Sequence, residues 1–328
     1  MKKIAIMDTS IMSFNLGDQI IMESARSGLK DIIDKAFVVN MPTHSPLYHW
    51  YEFSVYGKDG FTKALNSIDL KFVCGTNLLE KNMKKRKNSW NIHMMDTRHF
   101  NDFVLVGVGT DGMNIEPNSY TRRLYRKALS QQYVHSTRDE KTKAFLESMG
   151  FRALNTGCVT LWGLTKEHCK EIPKEKAEEV IFTITDYAPD IESDQFMVRT
   201  LCENYRKVYF WPQGIEDCNY IEKLRLDGAT NNKVQFLAPS LKAYSEFLQN
   251  HKCDYVGTRL HAGIKALQMK KRTMIIGVDN RARDMKESYE LPLLERDEIS
   301  KLEAMVNKKS EICININKDR IDEFLSQF

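Results

Sequence analysis

Arg259 and His261 stand two residues apart in the run Gly257-Thr258-Arg259-Leu260-His261-Ala262-Gly263, where a strand pattern gives way to a helix. A helix start presents backbone N–H groups and positive dipole charge, so it suits an anion. The forked guanidinium of Arg259 suits a carboxylate or a phosphate. His261 can donate or accept a proton near neutral pH. The plainer alternative is a strand-to-helix turn whose arginine pairs with a nearby carboxylate and whose histidine is packed. Two further runs have the same placement. In Asn15-Leu16-Gly17-Asp18-Gln19, Gly17 permits close backbone approach and Asp18 could cap the helix. The other is Ser136-Thr137-Arg138-Asp139. Trp211-Pro212-Gln213-Gly214 also follows a strand pattern, and Trp211 either stacks on a ligand or fills core.

The elements that must position these residues alternate short apolar runs with amphipathic stretches, the pattern of βαβ units around parallel sheets. In the first half, strands are expected at 3–8, 36–40, 70–74, 103–107 and 133–136, with helices at 18–33 and 139–149, the latter stopped by Gly150. Residues 166–179 are dense in Lys and Glu, carry Pro173 and lack an apolar stripe, which reads as an interdomain connection. A second series follows, with strands at 180–185, 208–211, 234–237, 255–257 and 273–278. Its helices are expected at 194–205, 216–226, 241–251, 261–269 and after Arg281. The chain therefore reads as α/β, with domains 1–170 and 171–328. Two Rossmann-like domains with parallel sheets facing across a cleft make a GT-B-like architecture, in which ligands sit at the carboxyl ends of strands. The 42–60 stretch, carrying His44, Tyr48, His49, Trp50, Tyr51, Phe53 and Tyr56, is either a ligand-binding loop or a surface loop packed on its own aromatics.

Composition narrows the classes. The 328 residues exceed the usual size of one core, and 42% hydrophobic with 28% charged residues is ordinary for a globular protein. A net charge of +4, from 48 basic and 44 acidic residues, is too small to mark a nucleic-acid partner. Seven scattered cysteines without a C-x-x-C pair point to reduced thiols and a cytoplasmic location. No apolar run reaches the ~18 residues of a spanning helix, so membrane contact would be peripheral, at the inner face. The basic run Lys81, Lys84, Lys85, Arg86 and Lys87, followed by Trp90, could touch anionic headgroups or an acceptor's diphosphate, or be a solvated loop. His93 and His99 match no zinc spacing, and no metal is expected.

Taken in order, Asn15-x-Gly17-Asp18, Ser136-x-Arg138-Asp139, Gly157-Cys158-x-Thr160-Leu161-Trp162 and Gly257-x-Arg259-x-His261-Ala262 resemble the polysaccharide pyruvyl transferase family across nearly the whole chain. The resemblance implies a GT-B-like fold, phosphoenolpyruvate as donor substrate, no cofactor, and a sugar of a surface polysaccharide or its lipid-linked precursor as acceptor. It places the acceptor on the first domain and phosphoenolpyruvate on the second, which also carries the C-terminal helices. On this reading Arg138, Arg259 and Leu260 bind the donor and His261 transfers a proton. Asp18 activates or orients the acceptor hydroxyl, while Asn15, Gly17 and Trp211 line the acceptor site or the cleft. The chain departs from the family at Cys74-Gly75-Thr76-Asn77 and at Gly107-Val108-Gly109-Thr110-Asp111-Gly112, turns that bear on the acceptor more than on the donor chemistry. The competing readings are a GT-B glycosyltransferase using a nucleotide sugar, with Glu287 or Glu295 on the ribose, and a non-catalytic glycan-binding relative.

Overall fold

The computed structural model describes residues 1–47, 58–86, 89–110 and 116–328. Most of the aromatic 42–60 stretch, Lys87 of the basic run, and Asp111 and Gly112 lie outside the described residues. The chain forms two compact units: Met1–Ser13 with Ile21–Trp162 and Asn317–Phe328, and Phe14–Ile20 with Gly163–Ile316.

In the first unit the strands are β1 (Lys2–Asp8), β2 (Ala36–Pro42), β3 (Leu70–Cys74), β4 (Asn77–Leu79), β5 (Phe103–Val106), β6 (Gly109–Thr110), β7 (His135–Thr137) and β8 (Ala153–Asn155). Four of them make a parallel sheet in the order β2-β1-β3-β5, while β4 pairs with β6 and β7 with β8. The β1 side chains show why these runs are almost continuously apolar. Ala5 and Met7 join one core with Val73, Phe103, Leu105 and Trp90, whereas Ile4 and Ile6 join another with Phe72, Val104, Val106 and Ile21. A parallel sheet covered on both faces needs apolar residues at both phases of its period. The helix Glu140–Glu147 starts where Asp139 accepts from Thr142 N at 2.7 Å, and Gly150 beyond its end has φ +90°. His135 is buried at the centre of this unit. Leu105 N donates to its Nδ1 at 3.2 Å, its Nε2 lies 3.0 Å from Ser130 O, and burial pushes its pKa down to about 4.

The second unit carries β9 (Glu179–Thr183), β10 (Lys207–Phe210), β11 (Val234–Phe236), β12 (Cys253–Gly257), β13 (Thr273–Gly277) and β14 (Leu293–Glu295). They form one parallel sheet in the order β11-β10-β9-β12-β13-β14. This is the doubly wound Rossmann order, and its direction reverses between β9 and β12, where ligands bind in such sheets. Val180, Phe182, Val208, Phe210, Val256 and Ile276 pack one face against Met197, Val198 and Leu201 of the helix Ile191–Asn204.

Three expectations about domain organisation change. The segment Phe14–Ile20, assigned above to the first domain, belongs to the second unit, because Asn15 bridges antiparallel to Gly214, Leu16 N donates to Gln213 O at 2.9 Å and Ile215 N to Phe14 O at 3.1 Å. The passage into the second unit falls at Gly163, and the 166–179 connection opens with a helix, Lys166–Lys170, within that unit. The final helix Lys318–Leu325 belongs to the first unit, where Phe324 packs edge-on to Trp162 and Phe328 against Phe72. The helix expected at 18–33 runs as Leu16–Gly28 followed by the short Lys30–Ile33. Among the described residues no helix is long and apolar enough to cross a membrane.

Candidate active site

At the strand-order reversal of the second unit, three carboxyl-terminal ends meet: those of β9, β10 and β12. Arg259 follows β12 as the cap residue of the helix Leu260–Gln268 and is 2% exposed. Its backbone is held by Thr183, whose Oγ1 accepts from Arg259 N at 3.2 Å, and by Tyr255, whose hydroxyl donates to Arg259 O at 2.9 Å. No side-chain bond from Arg259 closes the helix start, because a guanidinium has only donors and cannot accept from a helix N–H. Nε donates to Ile184 O at 3.0 Å and to Asp217 Oδ2 at 3.1 Å. Nη2 donates to Asp217 Oδ1 and, at 2.5 Å, to Asp186 Oδ1. The Tyr187 ring lies 5.0 Å from the guanidinium carbon. The arginine part of the plainer sequence alternative therefore holds: Nε and Nη2 of Arg259 are engaged by carboxylates of its own unit.

Asp217 is the centre of that arrangement. It is fully buried and also accepts from Gln213 N at 2.9 Å, Gly214 N at 2.7 Å and Asp186 N at 3.3 Å. Burial pushes its carboxyl up, opposed by the Arg259 charge and by the Gly214 and Gln213 N–H groups. Burial works against the Arg259 charge as well, but Asp217, Tyr187 and Asp186 outweigh it, so the guanidinium is firmly protonated. Gly214 makes the packing feasible. A Cβ there would collide with Arg259 Nη2 and lie 3.0 Å from its Cζ. Asp217 thus ties the turn after β10 to the arginine after β12.

The same turn carries the early motif. Gln213 Nε2 donates to Asn15 Oδ1 at 2.8 Å, and Asn15 Oδ1 also accepts from Gly17 N at 3.0 Å. A Cβ at position 17 would sit 2.8 Å from Gln213 Nε2, so the close approach expected of Gly17 is made. Asp18 is 9% exposed in the first turn of Leu16–Gly28, its N–H donating to Asn15 O at 3.1 Å. Asn15, Gly17 and Asp18 are thereby gathered with Gln213, Gly214 and Arg259 in one unit. Leu260 is 8% exposed and His261 half-buried, both in the first turn of Leu260–Gln268.

Arg138 lies in the first unit. Its backbone N–H donates to Val108 O at 3.0 Å, its Nε and Nη2 reach Asp139 Oδ2 at 3.3 and 3.2 Å, and it is 8% exposed. The guanidinium packs against Gly109, where a Cβ would come within 2.5 Å of its Cζ. Trp211 does not line a site. It is fully buried, stacked on Tyr244 at 4.0 Å with its Nε1 donating to Ser240 O at 3.2 Å, so it fills core. Trp90 is likewise core, edge-on to Phe103, and Arg86 of the basic run caps Met83 O and Ile92 O. Among the described residues no group of His, Cys, Asp or Glu is placed to hold a metal. Asp186, Gln213 and Asp217 escaped the sequence reading. Asp217 looks locally like an ordinary acidic residue in a helix first turn, and only Gln213-Gly214 directly after a strand gave a signal.

These residues can be set beside known proteins. No sequence match was found among curated proteins. Among solved structures, the UDP-GlcNAc 2-epimerase of Methanocaldococcus jannaschii in complex with UDP-GlcNAc and UDP is similar at 13% identity and a TM-score of 0.55, over 100% of this chain and 99% of that one. A co-structure of S. aureus MnaA with UDP matches at 10% identity and 0.55, over 99% and 95%. The Neisseria meningitidis UDP-GlcNAc 2-epimerase bound to UDP-GlcNAc matches at 11% identity and 0.53, over 100% of both chains. At such identities the likeness is one of fold, and the fold is GT-B-like. The family described as polysaccharide pyruvyl transferase matches residues 15–280, a span that opens on Asn15 and takes in Arg138, the Gly157–Trp162 run and the Arg259–His261 turn. With that span covered, the chain belongs to the polysaccharide pyruvyl transferase family.

Proposed function

We propose that the protein transfers the pyruvyl group of phosphoenolpyruvate to a sugar of a surface polysaccharide or its lipid-linked precursor, forming a ketal and releasing phosphate. The observation that carries this reading is the family match through the Arg259–His261 turn, at the strand-order reversal where a doubly wound sheet binds ligands. The donor brings a carboxylate and a phosphate on a three-carbon frame. The helix start at Leu260 and His261 supplies N–H groups and positive dipole charge for one of them. In the reaction C3 of the enol gains a proton and a sugar hydroxyl attacks C2. Phosphate then leaves with the C2–O electron pair, and a second hydroxyl closes the ring and loses its proton. His261 is the proposed acid toward C3, and Asp18 the group that orients or deprotonates the acceptor hydroxyl. Arg259 in the second unit and Arg138 in the first are each proposed as donor-binding residues.

A nucleotide-sugar reaction is the second reading, favoured by the UDP and UDP-GlcNAc held by the fold neighbours. Glu295, one of its candidate ribose ligands, is engaged by Arg283 Nε at 2.9 Å. Ligands that bind only the folded state stabilise it by mass action. Phosphoenolpyruvate is therefore expected to raise the melting temperature more than UDP-GlcNAc at equal concentration. Phosphate release across a panel of free and lipid-linked glycans, with mass spectrometry of the product, should identify a pyruvylated sugar. A larger shift with UDP-GlcNAc and no phosphate release would replace this reading with the second.

Gly109→Ala tests Arg138 without touching its charge. The backbone at Gly109 is not in the left-handed region, so its conformation suits alanine, and the added methyl presses on the guanidinium, 2.5 Å from Cζ, and on Asn77 Oδ1 at 2.9 Å. Displacing a positioned ligand group by a fraction of an ångström to an ångström is expected to lower kcat/KM for the donor roughly 10- to 100-fold. Steady-state kinetics on the folded variant check this, and wild-type kinetics would remove Arg138 from the donor site.

A further inference from the structure

Arg259 brings one positive charge to its cluster, and two carboxylates lie on it. An arginine so occupied is poorly disposed toward an anion, because a guanidinium with two carboxylates sums to a net negative charge. The two carboxylates are not equivalent. Asp217 is fully buried, bonded to both Nε and Nη2 and to three backbone N–H groups, and is a fixed part of the fold. The Asp186 side chain is 26% exposed, and among the described residues Arg259 Nη2 is the one donor to its carboxylate. Its own backbone is held separately, by Asp186 N donating to Asp217 Oδ1 at 3.3 Å. The carboxylate can therefore swing into water at the loss of a single bond, with the main chain in place.

We infer that Asp186 is an internal counter-ion that competes with the anionic substrate for Nη2 of Arg259. In the empty protein its carboxylate occupies the nitrogen. When the donor binds, a carboxylate or phosphate oxygen takes that position and Asp186 turns to solvent. The inference rests on the proposed reading that Arg259 belongs to the donor site, and it deepens that reading by assigning a residue that sets donor affinity. The cost of turning Asp186 away is the same whichever anion takes the nitrogen, so phosphate and phosphoenolpyruvate are weakened alike.

The prediction runs against the usual loss on mutation: Asp186→Asn and Asp186→Ala each bind the donor more tightly. Calorimetry at low ionic strength, with phosphoenolpyruvate and separately with inorganic phosphate, should show Kd falling roughly tenfold for both ligands, as expected when one carboxylate near a bound anion is neutralised in a partly screened setting. Glu216→Gln makes the same change of charge on an exposed residue close in sequence to Gly214, and it should leave both constants at wild-type values. Unchanged or weaker binding in the Asp186 variants overturns the inference, as does an equal gain in Glu216→Gln, which would assign the effect to the general field. If phosphoenolpyruvate binds neither wild type nor variants, the pyruvyl transfer reading falls, and the phosphate arm still decides the counter-ion. Tighter phosphate binding in the variants upholds it; unchanged binding sinks it.

Discussion

His261→Gln is expected to lower turnover by roughly 10²–10⁴-fold, the range for loss of general acid–base catalysis, while donor affinity falls far less and folding stays close to wild type. The argument starts from position. His261 lies in the first turn of Leu260–Gln268, directly after the end of β12, and its side chain is half-buried. A helix start opposes an imidazolium through its dipole, whereas a bound phosphorylated carboxylate favours one. Donor binding would thus charge the acid that the reaction consumes. The proton goes to C3 of the enol, and an imidazole is the side chain suited to give and take one near neutral pH. Glutamine keeps a hydrogen-bonding group of similar reach and cannot deliver that proton. Turnover and donor Kd should be measured on the same folded variant. A surviving rate would make His261 structural, and a parallel fall of rate and affinity would make it a ligand of the phosphate or carboxylate.

Asp217→Ala should destabilise the protein by about 3–5 kcal/mol, the usual cost of removing one partner of a buried ion pair. Its carboxylate is fully buried and takes both Nε and Nη2 of Arg259 together with the N–H groups of Gln213, Gly214 and Asp186. The alanine variant leaves the guanidinium with Asp186 and Ile184 O, and strands the buried backbone donors. Urea denaturation of the variant against wild type reads the cost directly. The double variant Asp217→Leu with Arg259→Met separates stability from function. Replacing a buried pair with apolar residues of similar volume is often near neutral, so much of the stability should return, while donor binding should not. A single variant within about 0.5 kcal/mol of wild type would mean that the turn after β10 is held by other contacts.

Local residue patterns were enough for the α/β class, for the parallel sheets and for the strand-into-helix placement of Arg138 and Arg259. The reason is physical. A strand buried on both faces must be apolar at consecutive positions, as in Leu70–Cys74, and a helix must follow where the period changes. These are properties of neighbours along the chain, so the chain itself displays them. Capping is equally local, and Asp139 at the start of Glu140–Glu147 is an instance. The edge strand β14, Leu293–Glu295, was not read from the sequence.

Which groups meet around the arginine was decided by the tertiary structure. Asn15 reaches Gln213 across 198 positions, and Arg259 reaches Asp186 and Asp217 across 73 and 42. None of these pairs has a sequence period to reveal it. An isolated Arg-x-His at a helix start is read more readily as a guanidinium already bound to carboxylates than as an anion fork, and what the ends of β9 and β10 present to it decides the matter. The same holds for Trp211, whose type fits a stacking platform and whose place against Tyr244 makes it core. The helix Lys318–Leu325 follows the second unit in sequence and packs into the first, because the apolar faces of Phe324 and Phe328 find Trp162 and Phe72 there. Residue types and local order therefore set what chemistry the chain can offer, and long-range burial and charge pairing set which groups stand free to perform it.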